Sequence, residues 1–233
     1  MNILITGTSK GIGKVIAEDL KNIGNIFVTG RNEEALKSCD AKEYYVCDLS
    51  QNIEPLQKFI QDKEIDVVIN NAGEYIYGGL EKLENEQIQK LYKTNLVAPA
   101  EICAAAIPYM KEQKWGRIIN IGSISGVMGE AYASVYSSSK AGLIGLTKAL
   151  ALELAEYNIT VNTINPGWVD TELGQKSIED SEFSKEEILD CIPQKRFVKP
   201  QEIASLCRYL ISEDAKGITG QSINVCAGLS VGI

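Results

Sequence analysis

Short apolar, β-branched runs recur along the chain: "NILIT", "IFVTG", "YYVCD", "DVVIN", "RIINI", "ITVNTIN" and "SINVC". Between them, residues 14–23, 86–110, 137–157 and 201–211 space their apolar side chains at the helical period. Strands alternating with helices predict βαβ units, and near-continuous apolar strands predict a parallel sheet covered on both faces. The alternation runs from end to end without a Pro/Gly/Ser linker. Residues 1–233 therefore read as one domain, an α/β Rossmann-type doubly wound parallel sheet of about seven strands with helices on both faces. One region breaks the rhythm. Residues 171–199, including "SIEDSEFSKEEILD", are polar, strand-free and charged, and read as an irregular lid over a binding site.

Composition narrows the chemistry. Formal net charge is −8, which argues against a nucleic-acid or anionic-membrane surface. No apolar run approaches the roughly 20 residues that span a bilayer, and "MNILITG" has neither the basic region nor the cleavage site of a signal peptide. Six cysteines without CxxC spacing read as reduced thiols, so a cytoplasmic location is expected. The chain has no histidine, which excludes a Ser-His-Asp triad and a His-ligated zinc site, and no metal-ligand constellation is visible. Acid–base work near neutral pH falls to a Tyr, Lys, Cys or carboxylate in a perturbing environment.

The segment "TGTSKGIG", residues 6–13, follows the first strand and opens the first helix. Gly7, Gly11 and Gly13 let the backbone turn and approach a pyrophosphate, and Ser9, Lys10 and Ile12 complete a loop whose free N–H groups sit at a positive helix end. Elsewhere such a loop can be a bare turn; its place in the first βα unit favours dinucleotide binding. An NAD site usually carries an acid at the end of the second strand. Here that strand ends "VTGRN", with no acid before Glu33. Arg31 beside Gly30, with Lys10 nearby, suits a 2′-phosphate, so NADP(H) is the expected cofactor; the plainer reading of Arg31 is a solvated loop residue. Other strand ends converge on the same crevice. Asp48 and Leu49 of "CDLS" fall where adenine would lie. Asn71, Ala72 and Gly73 of "NNAG" can tie neighbouring strands and leave room for ribose. In "NPGWVDT", Gly167, Val169 and Thr171 follow the sixth strand, where Pro166 and Gly167 force a turn.

In "ASVYSSSKAG" the i, i+4 spacing places Tyr136 and Lys140 on one helix face. An ammonium beside a phenol favours the phenolate, so Lys140 is expected to lower the pKa of Tyr136 into a useful range. Ser123, at the end of the fifth strand, can hydrogen-bond the same carbonyl oxygen. Taken alone, Tyr-x-x-x-Lys also describes a packed tyrosine beside a solvated lysine.

Together "TGTSKGIG", "NNAG", the Asn95 of "KTNL", Ser123, "YSSSK" and "NPGWVDT" resemble the short-chain dehydrogenase/reductase family over nearly the whole chain. The resemblance implies a tetrad of Asn95, Ser123, Tyr136 and Lys140. Tyr136 would be the acid/base, Ser123 would orient the carbonyl, Lys140 would bind the nicotinamide ribose, and Asn95 would hold a water relaying protons to Lys140. For Asn95 a buried amide satisfying a helix kink is the companion reading. Within the family, "SKAGLIGLTKALALELAEYNITVNTINPGWVDTEL" and "ITGQSINVCAG" are similar to 3-oxoacyl-[acyl carrier protein] reductases, whose basic residues, here Lys111 and Lys114, can meet an acidic carrier. The leading expectation is NADPH-dependent reduction of a 3-oxoacyl thioester, carrier-bound or free, with a sugar or polyol oxidoreductase as the alternative. A silent NADP-binding regulator would show a broken tetrad, and all four members are present. Residues 86–110 and 137–157 carry small and apolar residues around much of their circumference, more than one sheet face needs, and with the resemblance this predicts a homotetramer built on two-fold axes.

Overall fold

The computed structural model describes residues 1–180 and 183–231. Residues 181 and 182 of the expected lid, and the last two of the C-terminal "VCAGLSVGI", lie outside the described residues. All seven apolar runs form strands: β1 Asn2–Thr6, β2 Asn25–Gly30, β3 Glu43–Val46, β4 Val67–Asn70, β5 Gly116–Ile121, β6 Ile159–Pro166 and β7 Ser222–Val225. They make one parallel sheet in the order β3-β2-β1-β4-β5-β6-β7. The chain steps outward from β1 to β3, then returns to β4 on the other side. The strand order therefore reverses between β1 and β4, and a crevice opens at their carboxyl ends.

The two-residue strand period fills two cores. Ile3, Ile5, Val28, Ile69, Ile119 and Ile164 face helices α1 (Gly11–Leu20) and α10 (Pro200–Leu210). Leu4, Phe27, Val68, Ile118 and Val161 face α3 (Glu54–Asp62), α5 (Ala98–Gln113) and α7 (Ser134–Leu154). β5 and β6 are buried along their whole length, whereas the edge strand β3 exposes both its ends. Short helices α2 (Glu33–Lys37) and α6 (Ser125–Met128) lie between. Among the described residues no helix is long and apolar enough to cross a membrane.

Three elements depart from expectation. Helix α1 begins at Gly11, not at residue 14, because the glycine loop itself supplies the first turn. The segment 86–110 is two helices, α4 (Asn85–Tyr92) and α5, joined by a π-helical turn, Lys93–Val97. Pro99 has no N–H to offer the Asn95 carbonyl four residues earlier, so the regular ladder cannot close there and the turn widens. The segment read as a lid is not irregular. It folds as α8 (Glu172–Asp180) and α9 (Lys185–Cys191), and an isolated parallel bridge between Val169 and Val198 closes its base. The start of α9 is written in "SKEE": Ser184 Oγ accepts from the Glu187 N–H at 3.2 Å while the Glu187 carboxylate accepts from the Ser184 N–H at 2.8 Å.

Candidate active site

At one end of the crevice the backbone does the shaping. Gly7 and Gly11 hold positive φ values of 72° and 59°. A Cβ on Gly13 would strike the Gly7 carbonyl and the Asn71 side-chain amide. That amide donates to the Thr6 carbonyl at 2.9 Å and to the Gly7 carbonyl at 3.0 Å, and Thr6 Oγ1 accepts from the Asn71 and Ala72 N–H groups. Asn71 thus ties β4 to the loop after β1. No side chain caps α1, so its first N–H groups are free to meet an anion. Ser9 packs over Gly30, where any side chain would collide with its hydroxyl, and Ile12 turns inward against the core.

The other strand ends close on the same space. Thr171 lays its methyl group over Gly11, and its hydroxyl accepts from the Gly174 N–H at 3.1 Å, which joins the start of α8 to the loop. A Cβ on Gly167 would come within 2.9 Å of the Cys226 backbone. Val169 is buried and pairs with Val198. Leu49 is buried beside Asp48, whose carboxylate accepts from the Ser50 N–H and hydroxyl. Burial would raise the Asp48 pKa, but those Ser50 bonds, with Arg31 and Lys90 nearby, outweigh it and hold the group below the usual carboxylate range. A glycine-lined cradle at an uncapped helix end fits the pyrophosphate of a dinucleotide.

The two cations expected at the adenosine end are not free. Arg31 Nη1 lies 2.8 Å from Glu74 Oε1, and Lys10 Nζ lies 2.7 Å from Glu172 Oε1 on α8. Glu74 follows "NNAG" directly, a position from which a carboxylate could have been suspected.

The four tetrad positions come together at the other end. Asn95, fully buried in the π turn, accepts from the Glu74 N–H and donates to the Glu74 carbonyl, both at 2.8 Å, and its amide also reaches Ser139 Oγ at 3.3 Å. The kink and the buried amide are therefore one feature. Lys140, 4% exposed, donates from Nζ to the Ile121 carbonyl at 2.8 Å. Gly73 separates Lys140 from Asn95: a Cβ there would sit 3.4 Å from Nζ and 3.5 Å from Asn95 Oδ1. The helix carrying Tyr136 and Lys140 is braced from below by a buried chain in which Asn70 donates to Asn120 and Asn120 to Thr147, which meets Thr163.

One expectation fails here. Lys140 was expected to pull the Tyr136 pKa down, yet the phenol is pushed up to about 12. Loss of hydration is the main cause; the hydrogen bond with Ser123 opposes it, and the Glu130 carboxylate adds to the rise. Lys140 itself is driven down to about 8 by burial, and its Nζ sits 5.8 Å from the Tyr136 ring centre, turned to the Ile121 carbonyl. Spacing read the pair as a charge effect; in the protein alone, desolvation governs both groups.

Sequence reasoning missed the wall beside this pair. Glu130 accepts from Tyr75 at 2.7 Å and from Ser125 Oγ at 2.6 Å, and Ser125 in turn receives a hydrogen bond from Ser123 at 3.1 Å. Tyr75 meets Tyr136 edge-on with ring centres 5.0 Å apart. A carboxylate between Ser123 and Tyr136 in sequence was the available signal. The basic residues Lys111 and Lys114 precede β5, whereas Ser123 follows it, so a whole strand, about 20 Å, separates them within one chain. Lys111 stacks on Tyr157, 4.5 Å from its ring centre.

Known proteins resemble this sequence and share this fold. The family described as enoyl-(acyl carrier protein) reductase matches residues 7–230. The 3-oxoacyl-[acyl-carrier-protein] reductase FabG of Rickettsia bellii is 38% identical over 97% of this chain and 95% of its own length. The D-beta-hydroxybutyrate dehydrogenase of Rhizobium meliloti is 33% identical over 97% and 96%. Among solved structures, an actinorhodin polyketide ketoreductase variant with NADPH superposes with a TM-score of 0.93 at 34% identity, covering 99% of this chain and 97% of that one.

Proposed function

This chain belongs to the short-chain dehydrogenase/reductase family, and from that premise we propose that it is an NADPH-dependent reductase of 3-oxoacyl thioesters, with Tyr136 as its proton donor. The family makes it an oxidoreductase of carbonyl and hydroxyl groups that uses a nicotinamide cofactor. The observation that carries the chemistry is the hydrogen bond between the Ser123 hydroxyl and the Tyr136 phenol, which keeps its proton at neutral pH. The names of the FabG relative and of the ketoreductase neighbour support an acyl carbonyl. Two hydroxyls, Ser123 and Tyr136, meet where a carbonyl oxygen would accept from both, an arrangement that suits C=O reduction better than reduction of the carbon–carbon double bond implied by an enoyl reductase.

When bound, the cofactor supplies hydride to the carbonyl carbon. Tyr136 gives its proton to the carbonyl oxygen as negative charge develops there, and Ser123 donates a hydrogen bond to the same oxygen. Lys140, fixed on the Ile121 carbonyl beside Gly73, would hold the nicotinamide ribose and, through a bound hydroxyl, return a proton to Tyr136. Asn95 holds the loop bearing Glu74 against this site.

A second reading, a sugar or polyol oxidoreductase, draws on the polar wall of Glu130, Ser125 and Tyr75, which would suit hydroxyl groups. Turnover of acetoacetyl thioesters and of keto-sugars with NADPH and NADH decides between them. Thioester turnover at least tenfold above every keto-sugar is expected; the reverse ranking would overturn the acyl reading. The same reading includes assembly as a homotetramer. On α7, Ala141, Gly145, Ala149 and Leu152 line a solvent-facing stripe, with Leu152 85% exposed. A monomer mass by light scattering at micromolar concentration would remove that part.

A further inference from the structure

Arg31 directly follows β2 at the expected adenosine end of the crevice, but its guanidinium is already paired. The Glu74 carboxylate lies 2.8 Å from Arg31 Nη1 and 3.4 Å from Lys90 Nζ, and its side chain is only 19% exposed, whereas that of Arg31 is 60% exposed. Glu74 is not free to drift away. Its N–H and its carbonyl are both clamped by the buried Asn95 amide, so the backbone beneath the carboxylate is fixed from two sides. Asp48 stands near the same two cations, which leaves two carboxylates facing Arg31 and Lys90. The local charge is thus balanced before any ligand arrives.

We propose that Glu74 sets the cofactor selectivity of this chain by acting as an internal competitor for Arg31, holding the guanidinium where a 2′-phosphate would otherwise take it. The inference rests on the reading that Arg31 meets the 2′-phosphate of NADP(H). A phosphate brings between one and two negative charges to this point. It must share Arg31 with a carboxylate at close range, against like-charge repulsion, or displace a carboxylate whose backbone cannot follow. A ribose with a free 2′-hydroxyl brings no charge and meets no such opposition. Glu74 therefore weakens NADP(H) selectively and narrows the gap to NAD(H), and an anchored carboxylate after "NNAG" becomes a selectivity position distinct from the end of β2.

The test is calorimetric titration of NADP+ and NAD+ into the intact protein, with Glu74→Gln, Arg31→Ala and the double variant. Glu74→Gln keeps the side-chain shape and removes the charge. It should tighten NADP+ three- to tenfold and leave NAD+ within twofold, and the gain should fall below twofold once Arg31 is Ala. Glu74→Ala should move NADP+ the same way, which guards against an effect peculiar to the amide. If Glu74→Gln and Glu74→Ala leave the NADP+ to NAD+ ratio unchanged while Arg31→Ala weakens NADP+, the competitor is refuted and the cofactor reading stands. If Arg31→Ala also leaves NADP+ binding untouched, the cofactor reading falls and the competitor with it.

Discussion

The two ends of the crevice are built by different means. At the phosphate end the working parts are backbone: glycines at positive φ, an uncapped helix, and an asparagine amide spent on loop carbonyls. At the carbonyl end the working parts are a phenol and an ammonium whose own burial opposes their charged forms. A backbone site is sensitive first to added volume, whereas a buried ionisable site is sensitive as well to any change of charge or hydration around it.

The largest expected effect lies at the carbonyl end. Tyr136→Phe keeps the ring contact with Tyr75 and removes the proton, so kcat should fall by about 10² or more while NADP+ binding stays within about twofold. Steady-state rates and calorimetry on one preparation check this. Most of the activity surviving in the Phe variant would mean that the proton comes from elsewhere.

Volume is the probe at the phosphate end. Gly13→Ala has nowhere to put its methyl group, since both contacts, a carbonyl of the loop and the amide that ties it, are part of the cradle. A loss of about 2–3 kcal/mol in unfolding free energy is expected, with weakened cofactor binding. Gly145→Ala, on the α7 stripe assigned above to subunit contacts but with nothing within 4 Å of its new Cβ in a single chain, should be neutral or stabilising by about 0.5–1 kcal/mol in the dissociated subunit. Denaturant titrations of the two variants side by side would show equal losses if the cradle were not tightly packed.

The same contrast explains what could be read from the sequence. Seven apolar runs, the glycine spacing and the i, i+4 spacing of Tyr136 and Lys140 are local patterns, and local patterns fix where the backbone turns and which strand end carries which residue; Asn95 was legible only through the family resemblance. The charges were another matter. Arg31 and Lys10 look free in sequence because Glu74 and Glu172 lie 43 and 162 residues away. The Tyr136 pKa depends on hydration and on Glu130, neither of which an i, i+4 spacing encodes. The helical lid was misread for a different reason: short polar helices lack a strong apolar stripe, and only the capping box at Ser184 announces one of them.

Lys140 offers a test that works through stability alone. Its folded pKa of about 8 is below the ordinary 10.5. Below pH 8 both folded and unfolded chains carry the charge, so its burial cost is felt in full. Between about 8 and 10.5 the folded form sheds the proton first, and stability rises with pH. Lys140→Met should therefore raise stability at pH 7 by about 1 kcal/mol, the burial cost being partly offset by the lost bond to the Ile121 carbonyl. The gain should shrink as pH rises past about 8 and reverse before 10.5, because the neutral amine keeps a bond to the Ile121 carbonyl that Met lacks. A gain that grows with pH in thermal melts would contradict the sign, whatever the variant does to catalysis.

The smallest expected effect belongs to Glu130. Its carboxylate disfavours a phenolate at Tyr136, though burial of the phenol is the larger cause of that high pKa. Glu130→Gln removes the charge and keeps an oxygen acceptor for either Tyr75 or Ser125, so one of the two bonds is lost and about 1 kcal/mol of stability with it. In the oxidative direction the enzyme needs the phenolate, and kcat/KM for alcohol oxidation rises with pH as Tyr136 ionises. The rising limb should move to lower pH in the variant, by less than about one unit, because hydration loss stays in place. Reduction near neutral pH, where the phenol is already protonated, should change little. A limb that stays fixed or moves to higher pH would mean that the Glu130 field does not reach the phenol, leaving the carboxylate to order Ser125 and Tyr75 alone.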